Sequence, residues 1–244
     1  MTIEFEEFAR QLKLPILRRI DELVNPDLSF EENLASILKL ELGERRLRGI
    51  ARRTKVAGFP QLKTLDAFDF SRLLKLDKKT VLELTAGHFV ENKLNVIAYG
   101  NSGVGKTHLA IAIGAAVIQK GYTVRFRKAA DLVQEVKEAR AVKQLTNALR
   151  TWDRVSLLLL DELGYLTLDM DDSKLLFQLL SNRYETKSTF VTTNFEFSKW
   201  IDFLGDKALA TALIDRFAHK TIFLNMNGPS YRLQAGLSTR PTST

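Results

Sequence analysis

Apolar and polar positions recur with two different periods along this chain, and the change of period divides it. Up to about residue 60 the spacing is helical. Phe5, Phe8 and Leu12 fall on one helical face with Ile16 in phase, and Pro15 ends one helix and starts another. Leu34, Leu38 and Leu42 recur every fourth residue. Gly58 and Pro60 then break the pattern and open a linker. From about Leu94 short apolar runs alternate with helical stretches. LNVIAYG (94–100) has the pattern of a buried strand, Thr107 to Lys120 that of a helix with Gly121 just past its end, and YTVRFRK (122–128) that of a strand with alternating faces. Asp131 and Gln134 suit a capping box for a long helix reaching toward Arg150. SLLLLDE (156–162) is a continuous apolar strand, Asp172 to Tyr184 a helix, and STFVTTN (188–194) and TIFLN (221–225) two further strands.

Strands that are apolar throughout need cover on both faces. Their alternation with helices therefore predicts an α/β fold, a parallel sheet flanked by helices, with a small N-terminal helical domain. The expected boundaries are a helical domain over 1–60, the α/β domain with its linker over 61–236, and a frayed polar tail over 237–244.

Composition narrows the picture only slightly. A chain of 244 residues with 45% hydrophobic side chains buries a full-sized core. There is no apolar run long enough for a membrane span and no secretory h-region at the N-terminus. The chain has no cysteine, which excludes disulfides and Cys-based zinc sites and fits the cytoplasm. The net charge of +7 suits nucleic acid or another anionic surface, although many basic proteins bind neither. The most basic stretch is ERRLRGIARRTK (44–55), where Arg45, Arg46, Arg48, Arg52, Arg53 and Lys55 face a single Glu44. These arginines are candidates for DNA phosphates; the alternative is a solvated helix face.

The chemistry is concentrated in two motifs. G-x-x-x-x-G-K-T spans Gly100 to Thr107, between a predicted strand and a predicted helix. Glycines let the backbone curl so that successive N–H groups point at phosphate oxygens, and the helix that follows adds its N-terminal N–H groups and dipole. Lys106 would reach the β- and γ-phosphates of ATP and the Thr107 hydroxyl would bind Mg²⁺. Gly100, Asn101, Ser102, Gly103, Val104, Gly105, Lys106 and Thr107, with His108 next, are thus the candidate nucleotide-binding residues of a P-loop NTPase. The second motif, Asp161-Glu162, ends a buried strand at the sheet edge where α/β folds bind ligands. Asp161 would complete the Mg²⁺ shell, and Glu162 would orient or deprotonate water. A glutamate beside the metal ligand favours water as nucleophile, hence ATP hydrolysis. Asn194, ending the strand beside the P-loop strand, would hold that water, or else is a turn asparagine. Arg216 and Arg232 are of the kind that stabilise transition-state charge, or else are surface arginines.

Together, KTLDAFDF (63–70), NVIAYGNSGVGKTHLA (95–110), LLLLDELGYLTLD (157–169), LLSNRYETKSTFVTTN (179–194), GDKALATALIDRFAH (205–219) and SYRL (230–233) resemble the IstB family over nearly the whole chain. These are AAA+ ATPases encoded beside a transposase in insertion sequences, and relatives of helicase loaders. The resemblance implies an ATP-driven, duplex-DNA-binding helper of transposition that forms homo-oligomers with ATP at subunit interfaces and recruits or stimulates the transposase, without a membrane. It implies catalytic roles for Glu162 and Lys106, a sensor-1 role for Asn194, an arginine finger in Arg216, a sensor-2 arginine in Arg232, and adenine packing by Phe68 and Phe70. Lys137, Arg140 and Lys143 fall where related initiator ATPases carry DNA-facing helices. Two departures stand out, the Ser/Thr-rich tail and the acidic stretch Asp169, Asp171 and Asp172. The competing readings are a replicative helicase loader, a small-molecule kinase with the same P-loop, and a nucleotide-gated binding module without significant turnover.

Overall fold

The structure is a computed structural model that describes residues 3–164, 169–196, 199, 200 and 207–231. The chain divides into two compact units, Met1–Arg52 and Arg53–Thr244.

In the first unit, α1 (Ile3–Gln11) leads to a 3₁₀ turn that Pro15 opens and then to α2 (Ile20–Leu23). α3 (Phe30–Ala57), whose last residues belong to the second unit, begins at a capping box: Glu32 N–H donates to Ser29 Oγ, and the Glu32 carboxylate accepts from the Ser29 N–H at 2.8 Å. It ends where Gly58 takes φ 71°, the left-handed position glycine fills without strain. The buried face of α3 lies one residue away from the leucine repeat. Asn33, Ile37 and Glu41 are buried, while Leu34, Leu38 and Leu42 are exposed, as are Phe8 and Leu12. Glu41, 2% exposed, decides the rotation. It accepts the Ile16 N–H at 3.1 Å and the Arg45 guanidinium at 2.7 Å, so this face must meet the chain around Ile16.

The second unit holds the sheet. Its elements are α4 (Lys78–Thr85), α5 (His88–Glu91), β1 (Asn95–Tyr99), α6 (Lys106–Gln119), β2 (Val124–Lys128), α7 (Ala129–Ala141), α8 (Leu145–Asp153), β3 (Leu157–Leu163), α9 (Met170–Arg183), β4 (Ser188–Thr193), α10 (Lys207–His219) and β5 (Thr221–Asn225). The five strands run parallel in the order β2-β3-β4-β1-β5. Strands β1, β3 and β4 are buried almost throughout, as their unbroken apolar runs require. One prediction fails. Asp131 does not cap a long helix; α7 starts earlier, from Lys128, and stops at Ala141, where Lys143 takes φ 59° and separates it from α8. Gln134 instead donates to Glu138 one turn on. Among the described residues no helix is long and apolar enough to cross a membrane.

The strand order places the site. β1 and β3 are separated by β4 alone, so the ends of three adjacent strands deliver the loop after β1, the carboxylates of β3 and the residue after β4 to one edge of the sheet.

Candidate active site

The phosphate loop leaves β1 through Gly100, whose N–H donates to Thr193 O at 3.3 Å. Gly100, Gly103 and Gly105 all have positive φ, and Gly105 sits against the Phe68 ring. Lys106, 9% exposed, folds back over the loop. Its ammonium donates to Gly100 O, Asn101 O and Asn194 Oδ1, each at 2.7 Å. The lysine and the asparagine, far apart in sequence, thus point at one place.

The Thr107 hydroxyl reaches the Asp161 carboxylate at 2.8 and 3.0 Å. Asp161 is 2% exposed, and burial raises its pKa, an effect offset in part by hydrogen bonds from Thr192 and Thr107. A hydroxyl beside a single carboxylate is a hard, oxygen-only donor pair. It fits Mg²⁺, which keeps waters and substrate phosphates as most of its ligands. Among the described residues no cluster of three His, Cys or acidic side chains offers a fuller metal cage.

Glu162 occupies an irregular position. The β3–β4 ladder breaks between Leu160 and Leu163, and Glu162 takes φ 61°. A non-glycine residue there costs about 1–3 kcal/mol. The bulge is held on both sides. Thr192 Oγ1 on β4 accepts the Glu162 N–H at 3.0 Å, and Lys128 Nζ at the end of β2 pairs with the Glu162 carboxylate at 2.9 Å. That hydrogen bond raises the Lys128 pKa.

Beside these groups lies a cavity of about 610 Å³. The loop from Ser102 to His108, with Glu162, Thr192 and Asn194, lines it with polar groups, and Phe68, Leu73, Ile111 and Pro229 add apolar surface. Phe68 packs edge-on to His108, whose Nε2 contacts Thr64 O at 2.8 Å. Phe70 does not line the cavity; it supports Phe68 from behind, ring to ring at 4.8 Å. Tyr231, which also lines the cavity, donates its N–H to Gly103 O at 2.9 Å and stacks under the Arg72 guanidinium.

The other predicted residues lie elsewhere. Arg216 is exposed on α10, its guanidinium over the Phe177 ring at 5.4 Å, and among the described residues it makes no ion pair. Arg232 lies outside the described residues. Among the proposed DNA contacts, Arg45 and Arg48 are tied to Glu41 and Glu44, whereas Arg46 and Arg52 are exposed and Arg53 is half-buried. On α7, Lys137 pairs with Asp172 at 2.8 Å and with Asp169, and Arg140 lies 3.9 Å from Asp171. The acidic stretch that departs from the family pattern thus faces the basic side of α7, and of that set only Lys143 is exposed without an acidic partner among the described residues. Sequence reasoning passed over Thr192 and Lys128. The signal for Thr192 was a second threonine before the asparagine, one turn of the pleat from it.

A parallel sheet with a phosphate loop after β1, a Thr–Asp pair and an adjacent glutamate defines a P-loop nucleotide-binding protein of the AAA+ class. The family model described as IstB-like ATP binding protein matches residues 9–239, and the chain belongs to that family. It is 35% identical to the ATP-binding protein of insertion sequence IS5376 from Geobacillus stearothermophilus, over 96% of this chain and 95% of the relative. Identity is 38% to the ATP-binding protein of insertion sequence IS21 from Pseudomonas aeruginosa, over 92% and 86%. Among solved structures the DnaC helicase loader superimposes with a TM-score of 0.52 at 27% identity, covering 60% of this chain and 86% of that one.

Proposed function

We propose that the chain is an Mg²⁺-dependent ATPase that binds duplex DNA, assembles into oligomers with ATP at subunit interfaces, and assists transposition by recruiting or stimulating a transposase. The carrying observation is the convergence of Lys106, Thr107, Asp161, Glu162 and Asn194 around one cavity, in a family whose relatives are named as ATP-binding proteins of insertion sequences.

The P-loop N–H groups and Lys106 bind the β- and γ-phosphates, and Phe68 packs the base. Thr107 and Asp161 hold Mg²⁺, which, when bound, neutralises phosphate charge. Asn194 and Glu162 fix a water in line with the γ-phosphate, and Glu162 accepts its proton as the water oxygen bonds to phosphorus and the bond to ADP breaks. Lys106 and Asn194, now bonded to each other, exchange that contact for nucleotide and water. Arg216 and Arg232 supply cations to the developing charge, Arg216 from a neighbouring subunit. The helical domain over 1–60, with Arg46, Arg52 and Arg53, serves DNA or partner binding, and the domain over 61–236 serves ATP. The likeness to the DnaC helicase loader supports a second reading, loading of a replicative helicase; cofractionation with transposase or with helicase separates the two.

The test is Glu162→Gln, which keeps the shape and loses the base. ATP binding, read by a fluorescent analogue, should persist, while phosphate release in the presence of duplex DNA falls at least about 100-fold. Undiminished release would remove Glu162 from catalysis and with it the hydrolytic reading.

A further inference from the structure

We infer that Thr192 is a positioning residue for hydrolysis, because its one hydroxyl joins the metal-binding carboxylate to the backbone of the catalytic glutamate. The inference rests on the ATPase reading above and adds to it a residue that acts through Asp161 and Glu162.

Thr192 sits on β4, 2% exposed, across from the break in the β3 ladder. On either side of the break the strands pair normally, Leu160 with Val191 and Leu163 with Thr193. Within it the Glu162 N–H bonds to a side chain of β4. An amide in a sheet needs an acceptor, and here the Thr192 Oγ1 supplies it at 3.0 Å. The same oxygen has a single proton, and it donates that proton to Asp161 Oδ1. Its bonding capacity is thereby directed: lone pair toward Glu162, proton toward Asp161. Thr107 reaches the same carboxylate from the phosphate loop, so one chain of bonds runs Thr107, Asp161, Thr192, Glu162. The left-handed φ of Glu162 and the bond of its N–H to this acceptor occur together at the bulge. Serine would keep the hydroxyl and lose the methyl; valine would keep the shape and lose both bonds.

The experiment uses the full chain with three readouts: ATP affinity, steady-state phosphate release, and amide hydrogen exchange at Glu162 in the nucleotide-free protein. For Thr192→Val, ATP affinity should stay within about threefold while kcat falls roughly 10- to 100-fold, the scale expected of a displaced catalytic group. The Glu162 amide should exchange faster, with distant strands unaffected. Thr192→Ser should recover most of kcat and the slow exchange. If Thr192→Val does not fold, Thr192→Ala takes its place with the same expectations. Wild-type kcat in the valine or alanine variant, an equal loss in the serine variant, or unaltered Glu162 exchange would each overturn the inference. A wild-type chain that binds ATP yet releases no phosphate would instead overturn the ATPase reading, and the exchange measurement alone would then decide the Thr192 bond.

Discussion

Gly100 and Gly43 are both glycines, yet their surroundings give them opposite tolerances. A Cβ on Gly100 would lie 2.5 Å from Met226 C and 2.6 Å from its carbonyl oxygen, and the backbone there has φ 149°. The wall cannot retreat, because the Met226 N–H is bonded to Tyr99 O at 2.8 Å beside β1. Gly100→Ala should therefore displace the phosphate loop and weaken ATP binding by at least about tenfold, measured by titration with a fluorescent analogue. Gly43 lies inside α3 with nothing within 4 Å of the position its Cβ would take. Gly43→Ala should stabilise the chain by about 0.5–1 kcal/mol in denaturant unfolding, with ATP binding unaffected. At this scale the phosphate loop and the acidic pair were legible in the sequence, because each is contiguous and its spacing follows from its chemistry. Thr192 and Lys128 were not, since their contacts join residues from separate strands and depend on an irregular register.

Among the elements, strands were the easiest to read. LLLL in β3 and TFVT in β4 have no polar face, and only a doubly covered sheet accommodates that. The break between α7 and α8 was hidden, because Val142-Lys143-Gln144 contains neither glycine nor proline and Lys143 takes the left-handed turn itself. The α3 face was misleading for another reason: a buried glutamate bonded to a backbone N–H outweighs a row of leucines. Arg183, in the segment LLSNRYETKSTFVTTN (179–194), is an architectural residue. It is 1% exposed, donates to Trp152, Val155 and Ser188 carbonyls and to Thr189, and burial lowers its pKa to about 10. Helix starts carry a pH dependence. Asp77 accepts from the Thr80 hydroxyl and from the Lys79 and Thr80 N–H groups at the start of α4, which lowers its pKa. A depressed folded pKa means stability that is present above the unfolded value and lost as pH falls through the folded one. Asp77→Ala should thus lower the melting temperature at neutral pH, and the gap to wild type should narrow below the ordinary carboxylate range. A gap independent of pH would show that the charge is not what stabilises α4.

For the whole molecule, the proposed interface site makes the sharpest demand. Arg216 is exposed, rests on Phe177 and does not line the cavity of its own subunit. Arg216→Ala chains and Lys106→Ala chains should each be inactive in phosphate release. Mixed, they should regain a clear fraction of wild-type turnover, about a quarter under random pairing of intact half-sites. No recovery in demonstrably mixed oligomers would place Arg216 outside a shared site. The sheet order also has a consequence for how the chain is made. β1 emerges early during synthesis, but both of its neighbours come late: Val96 pairs with Phe190 on one side and with Ile222 on the other. The wall behind Gly100, at Met226, is made later still. The GNSGVGKT motif thus precedes in the chain both neighbouring strands of β1 and the wall at Met226 that shape it. A chain stopped before β5 should therefore bind ATP more weakly than the full chain, as titration with a fluorescent analogue would show.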